Sequence, residues 1–348
     1  MLEVKDLCAR RGDFFLKDIS FDVQDGEYFI LLGPTGAGKT VLLESIAGLQ
    51  GVRSGEVWID GKNVTSLSIQ ERRIGFAFQK YILHRHLPVR DNISFGLMWR
   101  YKKQREVDEA VDRVIELLGL QDLLNKRPWA LSGGESQKIC LARAIAVKPD
   151  LLILDEPLGS VDTESREVTE RELKESHNQL RLTTIHVTHD FEEAIALGDR
   201  IAVMIDGSIV QIGTPDQVFR HPNSESVARF LMTRNVFAGE VQDDAGGQSV
   251  FCVDGKKMDV ATPLRGKRHA SIRSEDILMS KEPLDSDAVN SLQGTVTHIS
   301  DRGSMAYVWV DVPPEFVCLV LHPSFEAMCL EEGQKVYITF KASAVNIF

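Results

Sequence analysis

The stretch from Leu31 to Glu44, LLGPTGAGKTVLLE, decides how this chain is read. Within it, Gly33 to Thr40, GPTGAGKT, fits the pattern G-x-x-x-x-G-K-[ST]. The apolar run YFILLG before it predicts a buried strand, and KTVLLESIAG after it predicts a helix that stops at Gly48. A glycine-rich turn between such elements aims backbone N–H groups and the positive end of a helix at an anion. Gly33, Pro34, Thr35, Gly36, Ala37 and Gly38 would then wrap the phosphates of ATP. Lys39 would reach the β and γ phosphates, and the Thr40 hydroxyl would ligate magnesium. The bland alternative is a glycine turn that merely enters a helix.

Working outward, a nucleotide site needs a second magnesium anchor at the end of a buried strand, and LLILDEP supplies Asp155 there. Glu156 follows at once, where a carboxylate can polarise the attacking water as a general base. In LSGGESQKICLARAIAVKPD, Ser132, Gly133 and Gly134 precede a helix closed by Pro149, a second anion-binding device. Two such devices in one chain make sense if they serve opposite faces of a shared nucleotide.

The remaining pattern is consistent with a parallel sheet covered by helices. PDLLILDEP and TTIHVTHD read as buried strands, the apolar spacing between Arg100 and Asn125 is helical, and EVWIDGKNV and IAVMIDGSIVQIG carry the Asp-Gly signal of tight hairpins. Near Arg234 the character changes to short strand-like runs through Phe348. We expect an ATPase domain over residues 1–233, with a helical subdomain at about 80–145, and a β domain over 234–348. NVFAGEV and NSLQGTV share N-x-x-x-G-x-V, which points to two related β subdomains, the second at about 288–348.

Composition sets limits. The chain has 348 residues, 43% of them hydrophobic, enough for two cores. Its formal charge of −11 argues against a nucleic-acid partner. Cys8, Cys140, Cys252, Cys318 and Cys329 are scattered and odd in number, as reduced thiols in a cytoplasm would be. No stretch approaches the ~20 apolar residues that span a bilayer.

These ordered motifs resemble the ATP-binding subunits of ABC transporters over the first 230 or so residues. The resemblance implies an α/β ATPase domain with a helical subdomain, ATP and Mg2+ as cofactors, and a head-to-tail homodimer. ATP would lie between the phosphate loop of one copy and the signature of the other, Ser132, Gly133, Gly134, Glu135 and Gln137. Gln79 in FAFQK matches the glutamine that senses magnesium and the lytic water. Asp155 and Glu156 match the magnesium-anchoring aspartate and catalytic glutamate, Asp162 the aspartate facing the partner subunit, and His189 the switch histidine at the γ-phosphate. Relatives stack an aromatic on adenine where this chain reads ARRGDFF, leaving Arg11 or Phe14 for that task. Leu83 to Leu87, LHRHL, lies where relatives receive a membrane subunit, or is a solvated loop.

From Asn290 onward the chain resembles the small molybdate-binding-like, OB-like β domain of molybdate, tungstate and sulfate importer ATPases. That implies import of an oxyanion through separate permease subunits at the cytoplasmic face of the membrane, fed by an extracytoplasmic solute-binding protein. Lys341 and Ser343 occupy the place of the family's oxyanion ligands, and Asp287 stands where a hydroxyl donor is usual. The domain is then either an oxyanion-responsive regulator or a dimerising module. RGKRHASIR (Arg265, Lys267, Arg268, His269, Arg273) is a second anion site or a solvated face. Molybdate or tungstate is the cargo we carry forward. Sulfate, a sugar, a polyamine or iron is the alternative, and a non-transport ABC ATPase is the runner-up.

Overall fold

The computed structural model describes residues 1–79, 82–99, 101–159, 161, 163–244, 247–284 and 290–348, and the chain divides into the units Met1–Pro215 and Asp216–Phe348. Asp162 and Asp287 lie outside the described residues.

The first unit opens with β1 (Leu2–Arg11), β2 (Phe14–Val23), β3 (Tyr28–Leu32), α1 (Lys39–Ala47), β4 (Val52–Ile59) and β5 (Lys62–Asn63). It continues with β6 (Ile74–Ala77), α2 (Val89–Ser94), α3 (Gln104–Leu118), α4 (Gly133–Ala146), β7 (Leu151–Asp155) and α5 (Thr163–Leu180). It closes with β8 (Thr184–Thr188), α6 (Phe191–Leu197), β9 (Arg200–Ile205) and β10 (Ser208–Gly213). One sheet runs β10-β9-β3-β8-β7-β6, parallel except for β10. Its central strands β3, β7 and β8 are buried at every position, which is why they read as continuous apolar runs. A separate antiparallel sheet, β2-β1-β4-β5, shares a core with α1. The expected hairpin turns form with left-handed backbone at Asp60 and Gly61 and at Asp206 and Gly207. A second core joins α2, α3 and α4, the expected helical region.

The second unit carries α7 (Pro215–Arg220), α8 (Glu225–Phe230), β11 (Asn235–Asp243), β12 (Ser249–Val253), β13 (Lys256–Asp259), β14 (Gly266–Ile272) and β15 (Leu278–Ser280). β16 (Asn290–Asp301), β17 (Met305–Asp311), β18 (Glu315–Leu321), α9 (His322–Met328), β19 (Lys335–Phe340) and β20 (Asn346–Ile347) complete it. The boundary expected at Thr233 rests on the change to short strand-like runs near Arg234, whereas the chain divides after Pro215. The helical residues that follow are tied to the β part of the second unit: Arg273 Nη1, just beyond β14, donates to Phe219 O at 2.9 Å, and Asn346 Nδ2, on β20, to Pro222 O at 2.8 Å.

Two five-stranded sheets, β13-β12-β11-β14-β20 and β15-β19-β16-β17-β18, enclose one apolar core. The N-x-x-x-G-x-V match is structural. Asn235, on β11, is fully buried, donates to Val317 O at 2.9 Å and accepts from Val317 N–H at 2.6 Å on the opposite sheet. Asn290, on β16, returns the same pair of bonds to Asp259 at 2.9 and 2.8 Å. A Cβ on Gly239 would lie 2.4 Å from Cys252 O, and one on Gly294 2.6 Å from Val310. The halves are not consecutive, however: β15 joins the second sheet and β20 returns to the first.

Candidate functional site

The phosphate loop leaves the buried end of β3 and enters α1 through Gly36 and Gly38, at φ +85° and +101°. No L side chain is comfortable there, and a Cβ on Gly38 would sit 2.5 Å from the Phe14 ring. Lys39 is 6% exposed, and its Nζ donates to Gly33 O at 2.6 Å and Pro34 O at 3.0 Å. Burial pushes its ammonium down from the ordinary value against the pull of Glu156 and Asp155. Thr40 Oγ1 lies 3.3 and 3.4 Å from the two Asp155 carboxylate oxygens. Burial pushes the Asp155 carboxyl up, opposed by the Thr40 hydrogen bond and reinforced by Glu156. A hydroxyl and an anionic carboxylate, both hard oxygen donors, meet beside the phosphate loop. That donor set fits a magnesium ion shared with phosphate oxygens.

Glu156 follows β7 at φ +45°. Gln79 Nε2 donates to its Oε2 at 2.7 Å, and His189 Nδ1 lies 3.2 Å from its Oε1. The three residues come from the ends of three adjacent parallel strands, β6, β7 and β8, so the sheet itself gathers them. A carboxylate so held can accept a proton from water.

Ser132 caps α4. Its Oγ accepts from Glu135 N–H at 3.1 Å, and Glu135 Oε2 accepts from Ser132 N–H at 2.8 Å. That backbone hydrogen bond, with Lys126 at 3.1 Å, holds the Glu135 carboxyl below its usual range. Gln137 is buried inside the helix, and a Cβ on Gly134 would meet nothing within 4 Å, so the turn is open to an approaching group. Of the two residues proposed for adenine, Arg11 is ion-paired to Glu44 at 2.7 Å, while Phe14 packs on Gly38.

The first unit also contains buried polar residues that sequence reasoning missed: Tyr28, His186 and Glu193. The signal of His186 and Glu193 was present in HVTHDFEEA, where a histidine stands inside a fully buried strand.

In the second unit, Lys341 and Ser343 line a cavity of about 610 Å³ with Arg220, Arg273 and Thr339. Thr339 is fully buried, and its Oγ1 has no hydrogen-bond partner among the described residues. Much of the basic patch is paired: Arg265 with Asp243 at 2.6 Å, His269 with Glu225 at 3.4 Å, and Arg273 with Glu275.

Comparison with known proteins matches residues 16–159 to the ABC transporter family and residues 286–347 to the TOBE domain. The chain is 38% identical over the full length of both chains to the molybdate/tungstate import ATP-binding protein WtpC of Pyrococcus abyssi. It belongs to the ATP-binding subunits of ABC importers. This importer subunit is also 37% identical to the sulfate/thiosulfate import ATP-binding protein CysA 1 of Shewanella oneidensis, over 97% of this chain and 91% of that one. A dimeric ATP-binding cassette in a post-hydrolysis state bound to ADP and Pi superposes with a TM-score of 0.56 at 28% identity. The match covers 62% of this chain and 99% of that one. CbiO1 from Clostridium perfringens, part of the ABC transporter complex CbiONQ, gives 0.58 at 28% identity over 67% and 94%. The importer subunit binds ATP and hydrolyses it, as its family does to drive import through membrane permeases. Among the described residues, no helix is long and apolar enough to cross a membrane.

Proposed function

We propose that the chain hydrolyses ATP to power uptake of molybdate or tungstate, working as a homodimer on permease subunits at the cytoplasmic face of a membrane. An extracytoplasmic binding protein would deliver the cargo. The observation that carries the catalytic part is the convergence of Gln79, Glu156 and His189 one residue beyond Asp155.

The loop from Gly33 to Gly38 orients the phosphates through its N–H groups, and Lys39 neutralises the β and γ oxygens. Thr40 and Asp155, with Gln79 beside them, would hold Mg2+, whose chemistry is to neutralise charge on the β and γ phosphates. Glu156 takes the proton of the attacking water at one carboxylate oxygen. Gln79 orients that carboxylate, and His189 contacts the γ-phosphate. In the partner copy, Ser132, Gly133 and Gly134 close on the same γ-phosphate, with Glu135 and Gln137 shaping the turn and Asp162 facing across the interface. Phe14 or Arg11 packs against the adenine.

The cargo reading draws on the relatives' names and on the cavity of the second unit, where Lys341 and Ser343 stand with the guanidinium groups of Arg220 and Arg273, each paired to a carboxylate (Asp216 and Glu275), and with the Asp276 carboxyl on the same wall. Sulfate is the second reading, favoured by the sulfate/thiosulfate relatives. Calorimetric titration of the full chain with molybdate, tungstate and sulfate distinguishes them. Tight binding of the first two that is lost in Lys341→Ala supports an oxyanion-responsive domain. No heat with any anion leaves the domain a dimerising module.

A further inference from the structure

Behind His189 runs a buried polar chain with no part in the site described above. The Tyr28 hydroxyl, at the start of β3, lies 2.9 Å from His186 Nδ1, and His186 Nε2 lies 3.1 Å from Glu193 Oε1. These side chains are 0–4% exposed. Glu193 Oε2 accepts the hydrogen bond of the Thr188 hydroxyl, and Thr188 Oγ1 accepts from the Asp190 N–H at 3.0 Å. Asp190 in turn caps α6 at the N–H groups of Glu192 and Glu193 and pairs with Arg166. His189 is the one residue between Thr188 and Asp190, so both of its neighbours are fixed by this chain.

Packing gives no reason for such a chain. Strand β8 sends Ile185 and Val187 into an apolar core, and polar groups buried on its other face are costly unless their hydrogen bonds are made. Burial alone would raise the Glu193 carboxyl, but the nearby His186 imidazole at 3.1 Å and the Thr188 hydroxyl bring it below its ordinary range. Glu193 is therefore an anion at neutral pH, and the Thr188 hydrogen points to it. The hydroxyl's lone pair is left for Asp190 N–H, so one oxygen clamps both sides of the His189 turn.

We propose that Glu193, held by His186 and Tyr28, is a positioning residue that acts through Thr188 to aim His189 at Glu156 and the γ-phosphate. The inference rests on the reading of His189 given above. A group displaced by about 1 Å can cost a reaction on the order of 10²-fold in rate while leaving binding alone.

The test is ATP hydrolysis by the full-length protein, followed by single-turnover phosphate release so that low rates are read. Thr188→Val removes only the hydroxyl, and Glu193→Gln keeps one acceptor oxygen. Each is expected to lower kcat by roughly 10-fold or more with KM for ATP within about two-fold, Glu193→Ala losing more than Glu193→Gln. In a His189→Ala background, Thr188→Val is expected to add less than about a two-fold loss, because the two act as one unit. Unchanged kcat in Thr188→Val, a loss in KM alone, or losses that multiply with His189→Ala would each overturn the proposal. Should Glu193→Gln fail to fold, Thr188→Val decides alone. If His189→Ala itself hydrolyses ATP at the parent rate, the reading of His189 falls and takes this inference with it. If His189→Ala is inactive while Thr188→Val is fully active, only the positioning role falls.

Discussion

Gln79 and Glu156 are joined across neighbouring strand ends, the glutamine amide donating to Glu156 Oε2 at 2.7 Å while the Glu156 N–H donates to Val187 O at 2.9 Å. Glu156 also holds a left-handed backbone at φ +45°, a costly conformation for a non-glycine residue that its ties at both ends maintain. Its carboxylate is thus aimed by the strand ends themselves. Glu156→Gln keeps the shape and removes the proposed base, so hydrolysis is expected to fall about 10²–10⁴-fold with ATP still bound and the ATP-loaded dimer accumulating. Phosphate release and nucleotide retention after gel filtration read both effects. Parent turnover in the variant would remove Glu156 from this role.

Asp155 shows the opposite balance of stability and use. Its folded pKa is raised above the ordinary value by burial, so its contribution to stability falls as pH rises from the unfolded pKa through the folded one and stays low at neutral pH. Asp155→Asn is therefore expected to raise the nucleotide-free Tm, by about 2–4 °C for ~1 kcal/mol, while abolishing magnesium-dependent hydrolysis. Calorimetric melting at pH 7.5 beside an ATPase assay is the check, and a lower Tm would contradict it.

His177 carries an acid-side signature. It is buried beside Thr184 at 3.1 Å, and burial, then the Lys174 charge, lowers its pKa. A lowered folded pKa means the unfolded chain binds the proton better, so stability is fully present above about 6.5 and declines as pH falls below it. His177→Gln is expected to flatten the Tm–pH curve below about pH 6.5, read by melting in a buffer series.

Gly38 combines φ +101° with a ring 2.5 Å from any added Cβ. Gly38→Ala should cost about 1–3 kcal/mol of local strain and push Phe14 off the loop. ATP affinity is expected to drop at least ten-fold by titration, with Gly12→Ala, whose Cβ would meet nothing within 4 Å, as a control confined to backbone strain.

Asn235 and Asn290 can be tested as equivalents. Replacing Asn235 by Ala leaves a strand N–H and C=O unpaired in a buried place, and replacing Asn290 does so in a half-buried one, so each should destabilise the second unit by about 1–3 kcal/mol. The ATP site of the first unit is expected to keep its turnover. Denaturant melts of the two variants should resemble each other, and a difference of more than about 2 kcal/mol would break the equivalence.

What the sequence disclosed was local in origin. The strand–loop–helix around Lys39 and the turns at Asp60 and Asp206 depend on glycines, apolar runs and left-handed backbone within a dozen residues. Gln79, Glu156 and His189 were legible as residues, but their convergence depends on the strand order β6-β7-β8, a matter of which strands pair. The sheet β2-β1-β4-β5 was hidden for the same reason: alternation identifies a strand and is silent about its neighbours. Tyr28 and His186 stand far apart in the chain, and a tyrosine in an apolar run reads as core until the histidine beside its hydroxyl is seen. Asn235 and Asn290 were visible as a pattern, and their meaning came only when each was found reaching into the opposite sheet.

The exchange of β15 and β20 makes the second unit a link and not a string. A cut between Ser280 and Asn290 would leave the first half without β20 and the second without β15, baring the edges of β14 and β19. Neither repeat can then be a module on its own, however alike the two look in sequence. Folding must close contacts between distant parts of the chain before either sheet is complete, so the unit should assemble late and all at once. Duplicated in pattern, it is indivisible in practice, since the two sheets share one core and exchange their edge strands.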